Sequence, residues 1–82
     1  MPVFMVERYL PDLTPDGVRE QIRQERALEG LRHLRTTYLP SDELCFSLFE
    51  ASSLAAVSRA NDRGGMAYER ISEALDVDID DD

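Results

Sequence analysis

Two helix-start signals divide the strand-like segments of this 82-residue chain into a fixed order. Thr14-Pro15-Asp16 combines an N-cap residue, a proline at the first helical position and an acid that interacts favourably with the helix dipole. Ser52-Ser53 marks a second start. Runs rich in β-branched, aromatic and leucine residues precede, separate and follow these helices. The resulting order of elements is βαββαβ. Few folds of this length have that order.

The bounds of these elements follow from residues that end helices and make turns. Gly30 ends the first helix near Glu29, and Arg63-Gly64-Gly65 ends the second. Pro40-Ser41-Asp42 makes a tight turn between the second and third strands. The sequence predicts strands at 2–10, 31–39, 43–51 and 68–75, and helices at about 15–29 and 54–62.

The turn also predicts which residues of the second and third strands face each other. A three-residue turn pairs Leu39 with Glu43, and counting back places His33 opposite Phe49. It also places Arg32 opposite Glu50, and opposite charges favour facing positions. The predicted helix-covered face consists of Phe4, Val6, Leu34, Thr36, Tyr38, Leu44, Phe46 and Leu48. The predicted open face consists of Met5, Glu7, Tyr9, His33, Arg35, Thr37, Cys45, Ser47 and Phe49.

This element order is that of the ferredoxin-like βαββαβ motif, an α+β sandwich. In that fold both helices pack on one face of an antiparallel four-stranded sheet. We expect a single domain over residues 1–82 that ends in an acidic tail at 76–82. A chain this small buries only about 60 to 65% of its unfolded surface. Because the open face is partly apolar, we expect a homodimer in which two open faces meet.

The balance of charge narrows the classes of partner. The chain has 17 acidic and 9 basic residues, which gives a net charge of −8. This argues against nucleic acid and against anionic membrane surfaces, and it suits cations or neutral ligands. All basic residues are arginines, which removes mechanisms based on a lysine nucleophile. No apolar run reaches the roughly 20 residues of a membrane span, and no secretory signal is visible, so we expect a cytoplasmic protein.

Four stretches of the sequence resemble a family of small bacterial ferredoxin-like proteins. The stretches are 4–8 (Phe-Met-Val-Glu-Arg), 38–51 (Tyr-Leu-Pro-Ser-Asp-Glu-Leu-Cys-Phe-Ser-Leu-Phe-Glu-Ala), 58–65 (Ser-Arg-Ala-Asn-Asp-Arg-Gly-Gly) and 69–74 (Glu-Arg-Ile-Ser-Glu-Ala). The family is largely of unknown function and includes a nickel-binding member. The resemblance covers nearly the whole chain and implies a dimeric ferredoxin-like sandwich and nickel binding. It supplies no ligand motif that can be carried over residue by residue.

Candidate metal ligands therefore come from the chemistry of the residues. Nickel prefers imidazole nitrogen as a ligand, and carboxylate oxygens and water can complete its coordination shell. His33 is the only histidine of the sequence. One histidine cannot build a closed cage, but it can anchor an open, partly hydrated surface site. The candidate ligands are His33, Glu7, Glu29 and the tail carboxylates Asp78, Asp80 and Asp82. We expect Ni²⁺ without an organic cofactor, in a non-catalytic role in sequestration or homeostasis. The plainer alternative is that His33 is an ordinary edge-strand residue.

A second class of function remains open. It is a small-molecule-binding protein or monooxygenase-type enzyme of the dimeric α+β barrel kind, with the open face as its pocket. His33 could act as general base and Cys45 as nucleophile, although the register places them two pairs apart. A deep apolar cavity lined by Tyr9, Phe49 and Cys45 would favour the enzyme. A filled face with carboxylates near His33 would favour the metal.

Overall fold

A computed structural model describes residues 1–75 and has the expected element order. The elements are β1 (Val3–Tyr9), α1 (Pro15–Arg26), β2 (Arg32–Leu39), β3 (Leu44–Glu50), α2 (Leu54–Arg63) and β4 (Arg70–Ala74). They form one four-stranded sheet in the order β2-β3-β1-β4, and each neighbouring pair is antiparallel. The predicted ferredoxin-like α+β fold is thereby confirmed. The predicted acidic tail, 76–82, lies outside the described residues. Within the described part, neither helix has the length and apolar character needed to cross a bilayer.

Both helices begin at the caps expected from the sequence. Thr14 Oγ1 accepts a hydrogen bond from the backbone N–H of Gly17 at 3.1 Å, and Ser53 Oγ accepts one from Ala56 at 3.1 Å. Helix α1 ends at Arg26, three residues before the predicted end. The backbone N–H of Ala27 bonds to a carbonyl three residues back, a tightened last turn that closes the helix.

The apolar core lies between the sheet and the two helices. Its buried members are Phe4, Val6, Leu28, Phe49, Ala51, Val57 and Ala60. Because this cluster joins β1 and β3 to α2 and to the end of α1, both helices cover the same face of the sheet. That face is the one on which Phe4 and Val6 lie, as predicted.

The turn between β2 and β3 is one residue longer than predicted. Leu39 pairs with Leu44 rather than Glu43, because Glu43 adopts a left-handed backbone conformation with φ of 57° and joins the turn. The register then shifts between His33 and Arg35, which leaves Leu34 without a partner in a β-bulge. Beyond the bulge, the predicted pairs of His33 with Phe49 and Arg32 with Glu50 are both present.

This extra turn residue reverses the predicted faces of β3. Cys45, Ser47 and Phe49 are buried against the helices, whereas Leu44, Phe46 and Leu48 point to the open side. A slip of one residue exchanges the two faces of a strand, and both faces of β3 are apolar enough to have been the core. The open face therefore carries Val3, Met5, Glu7, Tyr9, Arg35, Thr37, Leu44, Phe46 and Leu48.

Candidate functional site: a buried polar cluster and the predicted metal ligands

Arg8 is a buried charged residue at the centre of the helix-covered face. It alternates with Phe4 and Val6 along β1, and its side chain is only 1% exposed. Its Nε donates to Glu25 Oε2 at 3.0 Å, its Nη1 to the carbonyl of Ala67 at 3.1 Å and its Nη2 to Asn61 Oδ1 at 2.7 Å. One guanidinium thus connects β1, α1, α2 and the loop before β4.

Glu25 is the fully buried carboxylate that balances this charge. Its Oε1 accepts a hydrogen bond from Thr36 Oγ1 at 2.7 Å, which ties α1 to β2. Since the single proton of Thr36 is used there, Ser47 must donate across the 2.9 Å contact between the two hydroxyls. Ser47 Oγ is then free to accept from the Cys45 thiol at 3.8 Å. The hydroxyl protons of Thr36 and Ser47 therefore point toward Glu25, Thr36 directly and Ser47 through Thr36.

His33 joins this cluster through Thr36. Its Nε2 lies 2.7 Å from Thr36 Oγ1 and 3.7 Å from Glu25 Oε1. Because the proton of Thr36 goes to Glu25, His33 Nε2 must be the donor, which fixes the neutral tautomer. Nδ1 is then an unprotonated lone pair, buried and without a partner among residues 1–75. The ring meets Phe49 edge to face, with centroids 5.5 Å apart.

Burial sets the ionisation of the two nucleophilic groups in the cluster. It lowers the pKa of His33 below its usual 6.5, and Arg26 acts in the same direction while Glu25 opposes it. Burial also raises the pKa of the Cys45 thiol, and the carboxylate of Glu25 adds to that effect. Both groups are therefore held neutral, which suits a structural cluster better than an activated nucleophile.

The lowered pKa of His33 makes stability depend on pH. Below about pH 6.5 the unfolded chain takes up a proton that the folded chain resists, so the free energy of unfolding is expected to fall as pH falls. Urea unfolding between about pH 8 and 5.5 measures this slope. His33→Gln is expected to flatten it, and an unchanged slope in that variant would contradict the assignment.

The predicted metal ligands do not form one site within residues 1–75. His33 points toward the helices and its side chain is 4% exposed, so its predicted position on the open face is wrong. Glu7 is on the open face, as predicted, where its Oε1 lies 3.9 Å from Arg70 Nη2. His33 and Glu7 therefore lie on opposite faces of the sheet and cannot bind the same ion in one chain. Glu29 is exposed just after α1.

The remaining candidate ligands, Asp78, Asp80 and Asp82, lie outside the described residues. In the part of the chain that is described, no three His, Cys, Asp or Glu side chains are grouped so that they could hold a metal ion. The ligand set stays a prediction for this reason. The cavity expected for the enzyme is not formed by its three residues, since Phe49 and Cys45 are fully buried and Tyr9 is on the other face.

The cluster of Arg8, Glu25, Thr36 and Asn61 was not predicted from the sequence. A signal was present, because Arg8 follows Phe4 and Val6 at strand spacing and Glu25 follows Val18 and Ile22 at helical spacing. Charged residues at two core positions on different elements indicate a buried ion pair. Thr36 and Asn61 carry no comparable signal, since their partners are set only by the tertiary fold.

The fold and its polar core define a small ferredoxin-like α+β protein. Its sequence matches the family described as "Nickel responsive protein SCO4226-like" over residues 4–74, so the chain belongs to that family. This confirms the resemblance seen in the sequence.

The crystal structure of SCO4226 from Streptomyces coelicolor A3(2) is similar, with a TM-score of 0.81 and 22% identity. The match covers 92% of this chain and 99% of that one. At this identity the likeness shows the fold alone. No curated protein matches the chain.

Proposed function

We propose that this protein binds Ni²⁺ in the cytoplasm and sequesters it without catalysis. The observation that carries the proposal is membership, over residues 4–74, in a family described as nickel responsive. The net charge of −8 supports it, because a divalent cation is attracted to an acidic surface. The neutral, buried states of His33 and Cys45 also favour binding over nucleophilic catalysis.

The geometry limits how the ion is held. His33 Nδ1 has the lone pair that nickel prefers, but the atom is buried, so an ion reaches it only when β2 moves away from α1. Within residues 1–75 no group of three donors is assembled to help it. The remaining ligands therefore come from water, from the tail carboxylates or from a second copy of the chain.

A homodimer through the open face is part of the proposal. The open face carries the half-buried side chains of Met5 and Phe46 and the largely buried side chain of Leu48, so it is more apolar than predicted. It also carries Glu7 beside Arg70, so two copies related by a twofold axis can place opposite charges together. Such pairing would bring donors from two chains to one edge.

Calorimetric titration of the tag-free protein tests the metal. We expect Ni²⁺ to bind at least about tenfold more tightly than Ca²⁺, because imidazole is a ligand for nickel and a poor one for calcium. His33→Gln is expected to weaken Ni²⁺ binding by about tenfold or more. Ser41→Ala, in the exposed turn after the same strand, is the control and should bind as the parent does.

Two results would contradict parts of this proposal. Equal affinity in His33→Gln would mean that carboxylates alone hold the ion and that His33 is structural. If the titration with Ni²⁺ released no more binding heat than the titration with Ca²⁺, the proposed nickel binding would be overturned.

A further inference from the structure

A cavity lies on the helix side of the sheet. It has a volume of about 210 Å³ and lies between the end of β1, α1 and the loop after α2. Arg8, Gln21, Gln24, Gly65 and Met66 contribute to its wall. In liquid water each molecule occupies about 30 Å³, so the cavity has room for a compound of roughly five to seven heavy atoms.

Two residues of the cavity wall, Gln21 and Arg8, have hydrogen-bond donors that are not used within residues 1–75. Gln21 Nε2 is buried and has no hydrogen-bond partner in residues 1–75. Arg8 uses three of its five N–H groups, on Glu25, Asn61 and Ala67, within the same part of the chain. An unpaired buried donor costs stability, so its retention next to a cavity indicates that something accepts from it.

The charge of the wall restricts the ligand further. Glu25 lies 3.0 Å from Arg8 and balances its charge, so the cavity offers donors without a large net positive charge. Such a wall recognises an oxygen acceptor by hydrogen bonding rather than by charge alone. Met66 adds an apolar side to the same space.

We propose that this cavity binds a small carbonyl compound, a carboxylate or an amide, whose oxygen accepts from Gln21 Nε2 and Arg8. The site is independent of the nickel proposal, because it shares none of the predicted metal ligands.

Nuclear magnetic resonance of the ¹⁵N-labelled protein tests the site with sodium acetate and with acetamide as probes, at constant ionic strength. We expect saturable shifts of the Gln21 side-chain amide and the Arg8 Nε–H resonance. Gln21→Leu should weaken binding about tenfold or more, because it removes the donor. The same variant should raise the melting temperature of the free protein, since it also removes an unpaired buried group. If Gln21 had only a structural role, Gln21→Leu would lower the melting temperature instead.

Matched variants and probes separate the outcomes. Thr37→Ala changes an exposed polar residue on the open side of β2 that is not part of the cavity wall, and it should bind both probes as the parent does. Binding of acetate alone would identify a carboxylate as the ligand, and binding of both would identify the carbonyl oxygen as sufficient. Non-saturating shifts, equal affinity in Gln21→Leu, or the same shifts with sodium chloride would overturn the proposal.

Discussion

Arg8→Met is expected to destabilise the protein by about 3–5 kcal/mol, because it leaves the carboxylate of Glu25 buried without its partner. This is a large part of the roughly 5–15 kcal/mol that holds a small domain folded. The substitution also removes the hydrogen bonds that the guanidinium donates to Asn61 and to the carbonyl of Ala67. Urea unfolding followed by circular dichroism measures the change.

Two further variants show whether the pairing, rather than side-chain volume, is responsible. Arg8→Met combined with Glu25→Leu should be more stable than Arg8→Met alone, since no charge is then left buried. Arg19→Met removes the exposed partner of Asp16 on α1 and should change stability little. If the double variant were no better than the single one, the buried charge would not be the cause.

Phe49→Ala is expected to cost about 3–5 kcal/mol, because the ring is fully buried in the core. The edge-to-face contact with His33 would be lost with it. Phe49→Leu keeps most of the volume, so it should cost less and provides a variant that remains folded. Thermal and urea unfolding at low protein concentration measure both.

Phe46→Ala is the matched control, and it also tests the two faces of β3. The sequence pattern predicts Phe46 in the core and Phe49 on the open face, whereas Phe49 is fully buried and Phe46 is half-buried on the open side. At low concentration Phe46→Ala should cost clearly less than Phe49→Ala. If the open face pairs two copies, its cost should grow with protein concentration, because association then contributes to stability. A larger loss for Phe46→Ala in the monomer would mean that the faces are assigned wrongly.

The sequence predicts the features that depend on local chemistry. Thr14 and Ser53 cap their helices because a hydroxyl satisfies a free backbone N–H, whatever the rest of the fold does. The order of elements follows from such signals and from apolar periodicity. The opposite charges of Arg32 and Glu50 correctly predict which residues pair at one end of β2 and β3. Arg32 Nη1 lies 2.9 Å from Glu50 Oε1.

The candidate site depends on features that no local pattern reveals. One left-handed residue, Glu43, moves the neighbouring pairs of β2 and β3 by one position, and the bulge at Leu34 moves them back. His33 was correctly paired with Phe49, yet its face was wrong because the faces of β3 were exchanged. The partners of Glu25 come from β1 and β2, which are brought together only by the folded sheet.

The β-bulge at Leu34 has a consequence for aggregation. Strand β2 lies at the edge of the sheet, and its outer backbone groups could act as a template for a strand from another molecule. The bulge interrupts the regular spacing of those groups, and it leaves Leu34 and Arg35 both exposed. An irregular edge flanked by arginine side chains is a poor template. We therefore expect the distortion that restores the predicted pairing at Arg32 to make pairing of this edge with another molecule less favourable.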